Sequence, residues 1–140
     1  MAETGRVLAL DHGDARIGVA ISDPNRRMAV PLGTVRTGAP NDLRAIAAMV
    51  REKDVSLVVV GHPIGLRGDR GPKARQVEGF AEALRAVLPV PVELHDERLS
   101  TAEATRELSA AGVKGRRLRE AVDENAATVI LRSWLKGRAG

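Results

Sequence analysis

Apolar positions recur along this chain with two different periods, and the switches between them mark its elements. Leu8, Ala9 and Leu10 run without a polar break and predict a buried first strand over 5–11. Over 16–22, Ile17, Val19 and Ile21 fall on one face and Gly18 and Ala20 on the other, the alternation of a second strand. The DHGDA link between the two is short enough for an antiparallel hairpin. Asp23-Pro24-Asn25 signals a turn, and a third strand follows over 28–35. Asn41-Asp42 is placed to cap a helix over about 42–53. DVSLVVVG then carries Val58, Val59 and Val60, another strand covered on both faces. GHPIGLRGDRG, with four glycines in 11 residues, is a loop. Pro72 suits the first turn of a helix in which Val77, Phe80, Ala81, Leu84 and Leu88 repeat at helical spacing. VPVELHD reads as a fifth strand. Ser100 and Glu103 have the S-x-x-E spacing of a capping box, so a helix is expected from near Thr101 to Gly112. The basic segment VKGRR leads into a last helix from about Leu118 to Lys136.

The predicted order is β-β-β-α-β-α-β-α-α. Three meandering strands followed by strand–helix alternation imply an α/β fold of ribonuclease-H-like type: a five-stranded mixed sheet flanked by helices. With no repeat, low-complexity segment or linker, residues 1–140 are expected to form a single domain. Such a chain can bury roughly two-thirds of its unfolded surface. The lack of cysteine removes disulfides, thiolate metal sites and redox dithiols. No apolar run approaches the ~20 residues that span a membrane, and MAETGR lacks the apolar segment of a signal peptide. A cytoplasmic protein with no membrane partner is the expectation.

Charge sharpens the picture. The chain holds 22 Lys and Arg against 18 Asp and Glu. Lys114, Arg116, Arg117, Arg119, Arg132, Lys136 and Arg138 face only Glu120, Asp123 and Glu124 within residues 112–140, so that segment carries the whole net excess of +4. A local basic patch favours a polyanionic partner, the alternative being a solvated arginine-rich surface. With one Phe, one Trp and no Tyr, stacking platforms for single-stranded bases are missing, which favours grip on backbone and shape.

Three acids stand out. Asp11 ends the first strand, and Glu97 follows the fifth; if these strands are parallel neighbours, both acids lie at the sheet edge where α/β ligand sites form. Asp123 shares a helical line with Ala126, Ala127, Ile130 and Trp134, an apolar stripe on which an unpaired carboxylate would be costly. If the three converge, any two ~4 Å apart repel by about 4 kcal/mol at an effective dielectric near 20, and protons or cations must intervene. Oxygen-only ligands select hard ions such as Mg²⁺ or Mn²⁺, and two such ions can bind a phosphodiester, activate a water and stabilise the leaving oxygen. Gly13 permits a tight turn beside Asp11 and close phosphate approach. Plainer readings exist for each: Asp11 and Asp14 as turn residues, Glu97 paired with Arg98 or Arg116, Asp123 satisfied by backbone or an arginine. His12, His62 and His95 lack ligand spacing, although His95 stands beside Asp96 as a candidate supporting group. The glycine-rich loop lacks the GK[ST] ending of a phosphate-binding P-loop.

The stretches LALDHGDARIGVAISD, VVVGHPIGLRGD, VEGFAEALRAVLPVPV, DERLSTAEA and VDENAATVILRSWL, in this order, resemble the YqgF/RuvX family. Its members are ribonuclease-H-like proteins described as pre-16S rRNA nucleases and Holliday-junction-resolvase homologues. The resemblance implies an acidic, metal-holding triad of Asp11, Glu97 and Asp123, with family glycines at Gly13, Gly18, Gly61 and Gly68. It places Arg16, Arg98, Ser100 and Thr101 on motif positions and matches the basic segment Lys114 to Arg119. Two departures are Asp14, where the family has a small hydroxyl residue, and Gly65, where it has Asn.

The implied activity is metal-dependent phosphodiester hydrolysis of structured nucleic acid, maturing the 5′ end of 16S rRNA in ribosome assembly. Arg16, Arg98, Lys114, Arg116, Arg117 and Arg119 would contact phosphates. A resolvase of four-way DNA junctions needs the same triad plus a two-fold homodimer. A non-catalytic RNA-binding assembly factor would keep the fold without cleavage. An actin-like or sugar-kinase ATPase also opens with D-x-G but needs a second lobe over its nucleotide.

Overall fold

The computed structural model describes residues 4–65, 68–118 and 126–139, with backbone alone at 99–104, 138 and 139. Its strands are β1 (Arg6–His12), β2 (Arg16–Ser22), β3 (Ala29–Arg36), β4 (Val55–His62) and β5 (Val92–Asp96). Its helices are α1 (Asn41–Glu52), α2 (Pro72–Val87), α3 (Glu97–Ala110) and α4 (Ala126–Ala139). The strands form one sheet in the order β3-β2-β1-β4-β5. β1 and β2, and β2 and β3, pair antiparallel, as the short turns require, whereas β1–β4 and β4–β5 pair parallel through helical crossovers.

Side-chain alternation divides the core between the two faces. Leu8, Leu10, Ile17, Val19, Ile21, Val58 and Val60 pack with Ile46 and Val50 of α1 and Val77, Phe80, Ala81 and Leu84 of α2. Val7, Ala9, Ala20, Leu57 and Val59 pack on the opposite face against Ala127, Ile130, Leu131 and Trp134 of α4. The central strands are therefore buried on both faces, and the apolar runs of β1 and β4 follow from that.

Three local expectations are corrected. α3 begins at Glu97 instead of near Thr101, because Asp96 is the N-cap and its side chain accepts from the Arg98 amide. Helix α1 is capped by Pro40; the buried Asp42 carboxylate folds back to accept from the amides of Gly38 at 3.0 Å and Leu43 at 2.7 Å. β1 and β5 run parallel but are not neighbours, since β4 lies between them. The end of α3 is as expected: Gly112 has φ +92 and the Val113 amide returns to the Leu108 carbonyl at 2.9 Å.

Candidate functional site

The strand registers set a row of positions across the α4 face of the sheet. Thr34 pairs with Gly18, Gly18 with Asp11, and Gly61 with His95. Asp11 alternates in phase with Val7 and Ala9, so it faces α4, one residue beyond the Leu10–Val60 pairing that puts Gly61 beside it. Both strand neighbours of Asp11 are thus glycine. At Gly18, an added Cβ would sit 3.6 Å from Ala127 Cβ and 3.8 Å from Asp11 Cβ, ordinary contact. At Gly61 it would sit 2.5 Å from Ile130 Cδ1 and 2.6 Å from Glu97 Oε1. The space above Gly61 is where Glu97 crosses the intervening strand to reach Asp11.

Asp11 and Glu97 share a side-chain hydrogen bond. Burial, reinforced by the Asp11 carboxylate, pushes Glu97 up to about 7, while the Lys73 ammonium acts in the opposite direction. Two acids that share one proton near neutrality form a site at which a hard cation can take the proton's place. Among the described residues no third acid or histidine completes a metal cluster. Asp123 and Arg119 lie outside the described residues.

The backbone of Glu97 is held from both sides. Arg98 grips the Asp96 carboxylate with Nε at 3.0 and 3.1 Å and Nη2 at 2.6 Å, and its Nη1 reaches the Gly65 carbonyl at 3.4 Å. This fork holds the Asp96 carboxyl below the usual carboxylate range and ties β5, α3 and the glycine-rich loop together. His95 Nε2 meets Ser133 Oγ of α4 at 2.9 Å, and Trp134 Nε1 donates to Glu93 at 3.2 Å. α4 is thereby fixed to β5 beside the acid pair.

A cavity of about 490 Å³ opens from Asp11 toward the sheet edge, lined by Arg16, Gly18, Gly33, Thr34 and the first turn of α4 among others. Arg16 is exposed at its rim. Lys114, Arg116 and Arg117 are exposed after α3. Gly13 has its amide on the Arg16 carbonyl at 3.0 Å, and a Cβ there would sit 2.6 Å from that oxygen. Gly68 has φ +83 in the loop beside Arg98.

The two departures from the family pattern acquire local partners. Asp14 is exposed, and its Oδ1 faces Lys73 Nζ at 3.3 Å, joining the hairpin to the start of α2. A side chain at Gly65 would collide with the Asp69 carboxylate, which occupies that space. Lys73 escaped the sequence reading. Its signal was available: it directly follows a helix-initiating proline at the sheet edge that carries Asp11.

The chain matches the RuvX family, described as Holliday junction resolvase, over residues 5–137. A protein of Anaeromyxobacter dehalogenans is 49% identical over 135 residues, covering 96% of this chain and 98% of its own. One of Chloroflexus aurantiacus is 46% identical over 135 residues, covering 94% and 87%. Both bear the name "Putative pre-16S rRNA nuclease". Among solved structures, the fold resembles T. thermophilus RuvC in complex with Holliday junction substrate. The TM-score is 0.58 at 16% identity, covering 97% of this chain and 96% of that one.

Proposed function

The chain belongs to the RuvX family, and we propose that it is a metal-dependent nuclease that hydrolyses phosphodiester bonds of structured RNA at the 5′ end of pre-16S rRNA. The observation that carries this reading is the pair of acids at the sheet edge, with Glu97 raised to about 7 beside Asp11. A partly buried acid pair joined by a hydrogen bond fits a hard divalent cation, Mg²⁺ or Mn²⁺. Asp11 and Glu97 would hold the ion together with Asp123. When bound, it supplies charge neutralisation at the phosphodiester and a more acidic water.

The remaining roles belong to the protein. Gly61 leaves the opening through which Glu97 meets Asp11. Asp96, Arg98 and the start of α3 keep the Glu97 backbone in place. Arg16 at the cavity rim and Lys114, Arg116, Arg117 and Arg119 supply positive charge for the RNA backbone, with Arg98 nearer the acids. Among the described residues no helix is long and apolar enough to cross a membrane.

The test is cleavage of a precursor-16S RNA fragment in Mn²⁺ by wild type and Asp11→Asn. Cleavage lost in the variant, with an unchanged circular dichroism spectrum, supports the reading; wild-type rates in the variant overturn it. The family's description favours a second reading, resolution of four-way DNA junctions. Preferential cleavage of a junction over the RNA, by a dimer in sedimentation, would select it.

A further inference from the structure

One pairing in the sheet has no structural reason. β2 and β3 place Arg16 directly opposite Arg36, and both side chains are exposed. Like charges facing each other across an antiparallel pair destabilise it. Such pairs are tolerated where acids intervene, but among the described residues neither guanidinium has an acidic partner. The other strand arginine, Arg6, stands opposite Val55.

The two arginines are also carefully placed. Arg16 lines the cavity that opens on Asp11, and Arg36 stands beside it two residues past Thr34 on the same face. Sheet spacings put the Arg36 backbone on the order of 12 Å from that of Asp11, within reach of a neighbouring part of one bound strand. The ground under them is rigid. Gly13 donates to the Arg16 carbonyl at 3.0 Å, the Thr37 amide reaches the Ala15 carbonyl at 3.1 Å, and Thr37 Oγ1 donates to the Gly13 carbonyl at 2.8 Å. These bonds tie the β1–β2 turn to the end of β3, holding both guanidinium stems at one level.

We infer that Arg16 and Arg36 form a two-guanidinium clamp for a backbone phosphate of the substrate, adjacent to the phosphate that reaches Asp11 and Glu97. This rests on the nucleic-acid reading above and extends it to Arg36 and to the path of the strand along the β2–β3 ledge. Two planar forks side by side match a phosphate's oxygens, and the anion removes the repulsion between them. The open floor at Gly33, where an added Cβ would meet nothing within 4 Å, lets the sugar–phosphate chain lie close to the sheet.

The experiment titrates a fluorescein-labelled RNA hairpin with a single-stranded 5′ extension in EDTA, at salt from about 50 to 200 mM. Arg36→Ala is expected to weaken binding about tenfold near 0.1 M salt and to lower the log–log salt slope by about 1. Arg36→Lys restores the slope but only part of the affinity. Arg44→Ala, the same loss of charge on α1, leaves both unchanged. The Tm of Arg36→Ala stays level or rises, whereas a structural role would lower it. In Mn²⁺, Arg36→Ala raises KM and leaves kcat. Slope and KM at wild-type values in Arg36→Ala sink the clamp while leaving the nuclease intact. Wild type that binds with the Arg36-dependent slope yet cleaves no RNA sinks the nuclease reading and keeps the clamp. Wild type that does not bind the hairpin sinks the clamp.

Discussion

On the α2 face of the sheet edge, His62 Nε2 meets Glu78 Oε2 at 2.6 Å, and Arg70 closes on the same carboxylate. On the α4 face, at the ends of β1 and β5, Asp11 and Glu97 bring acid against acid. The same edge thus carries one carboxylate bonded to a guanidinium and an imidazole and another pushed against its own kind. Their protonation follows: the Arg70 fork holds Glu78 down to about 2, while burial and Asp11 lift Glu97 to about 7. A fold that needed only to satisfy its polar groups would have treated both faces like the first. The second leaves an acid raised toward neutrality, the kind of perturbation that clusters at functional sites.

The sharpest way to break this contrast is to remove a charge from the acid pair. Asp11→Asn is expected to bring Mn²⁺-dependent cleavage down to background and to leave the Tm equal or higher, since a repulsive neighbour is gone. Cleavage assays alongside thermal melts check both halves. If the Tm collapses, Asp11 is structural and the contrast fails.

A second test uses pH. The folded-state value of Glu97 lies above its ordinary 4.5, so the fold prefers the protonated form. Its contribution to stability is complete below pH 4.5 and is lost as pH rises through about 7. In EDTA, the wild-type Tm should therefore fall by several degrees across that window relative to Glu97→Gln. Saturating Mn²⁺ should cancel the fall, and metal affinity should rise with pH up to about 7 as the ion displaces the proton. Glu78 runs the other way. Its value is depressed, so its contribution is present above pH 4.5 and disappears as pH falls toward about 2. The two faces should separate into two pH windows, and a single transition shared by Glu97→Gln and Glu78→Gln would merge them.

The two glycines beside Asp11 provide a third comparison. Gly61→Ala drives a methyl into Ile130 and Glu97, costing about 1–3 kcal/mol and pushing Glu97 away from Asp11. Gly18→Ala meets only ordinary contacts and should change the midpoint of urea unfolding little. Equal effects at both positions would mean that Glu97 does not depend on the gap above Gly61. The smallest effect belongs to Glu78→Gln: a slight drop in Tm at neutral pH, with Mn²⁺ affinity by calorimetry unchanged.

Local pattern was enough for the elements. The uninterrupted run Leu8-Ala9-Leu10, the alternation Ile17-Val19-Ile21 and the triple valine of β4 each state how many faces their strand buries, because side chains in strands alternate with a fixed period. The start of α2 at Pro72 and the stop of α3 at Gly112 were equally legible, being set by residues within one turn. Asp11 could be named from its place at a strand end. The start of α3 could not be read as safely, since Asp96 and Ser100 both offer a capping oxygen and only packing at the end of β5 decides between them.

The neighbours within the β1–β2–β3 meander were legible from its short turns; what lay beyond the sequence was the place of β4 between β1 and β5, and the strand registers. Placing β4 between β1 and β5 makes Gly61 the passage for Glu97, a role no local feature of VVVGH announces. The register of β2 on β3 sets Arg36 opposite Arg16 across 20 residues of chain, and the crossover into α2 brings Lys73 to Asp14 across 59. Propensity and periodicity act over a few residues, so they fix elements and faces. Strand order and register come from the joint burial of distant apolar surfaces, and that collective balance is what put two acids, and two arginines, side by side.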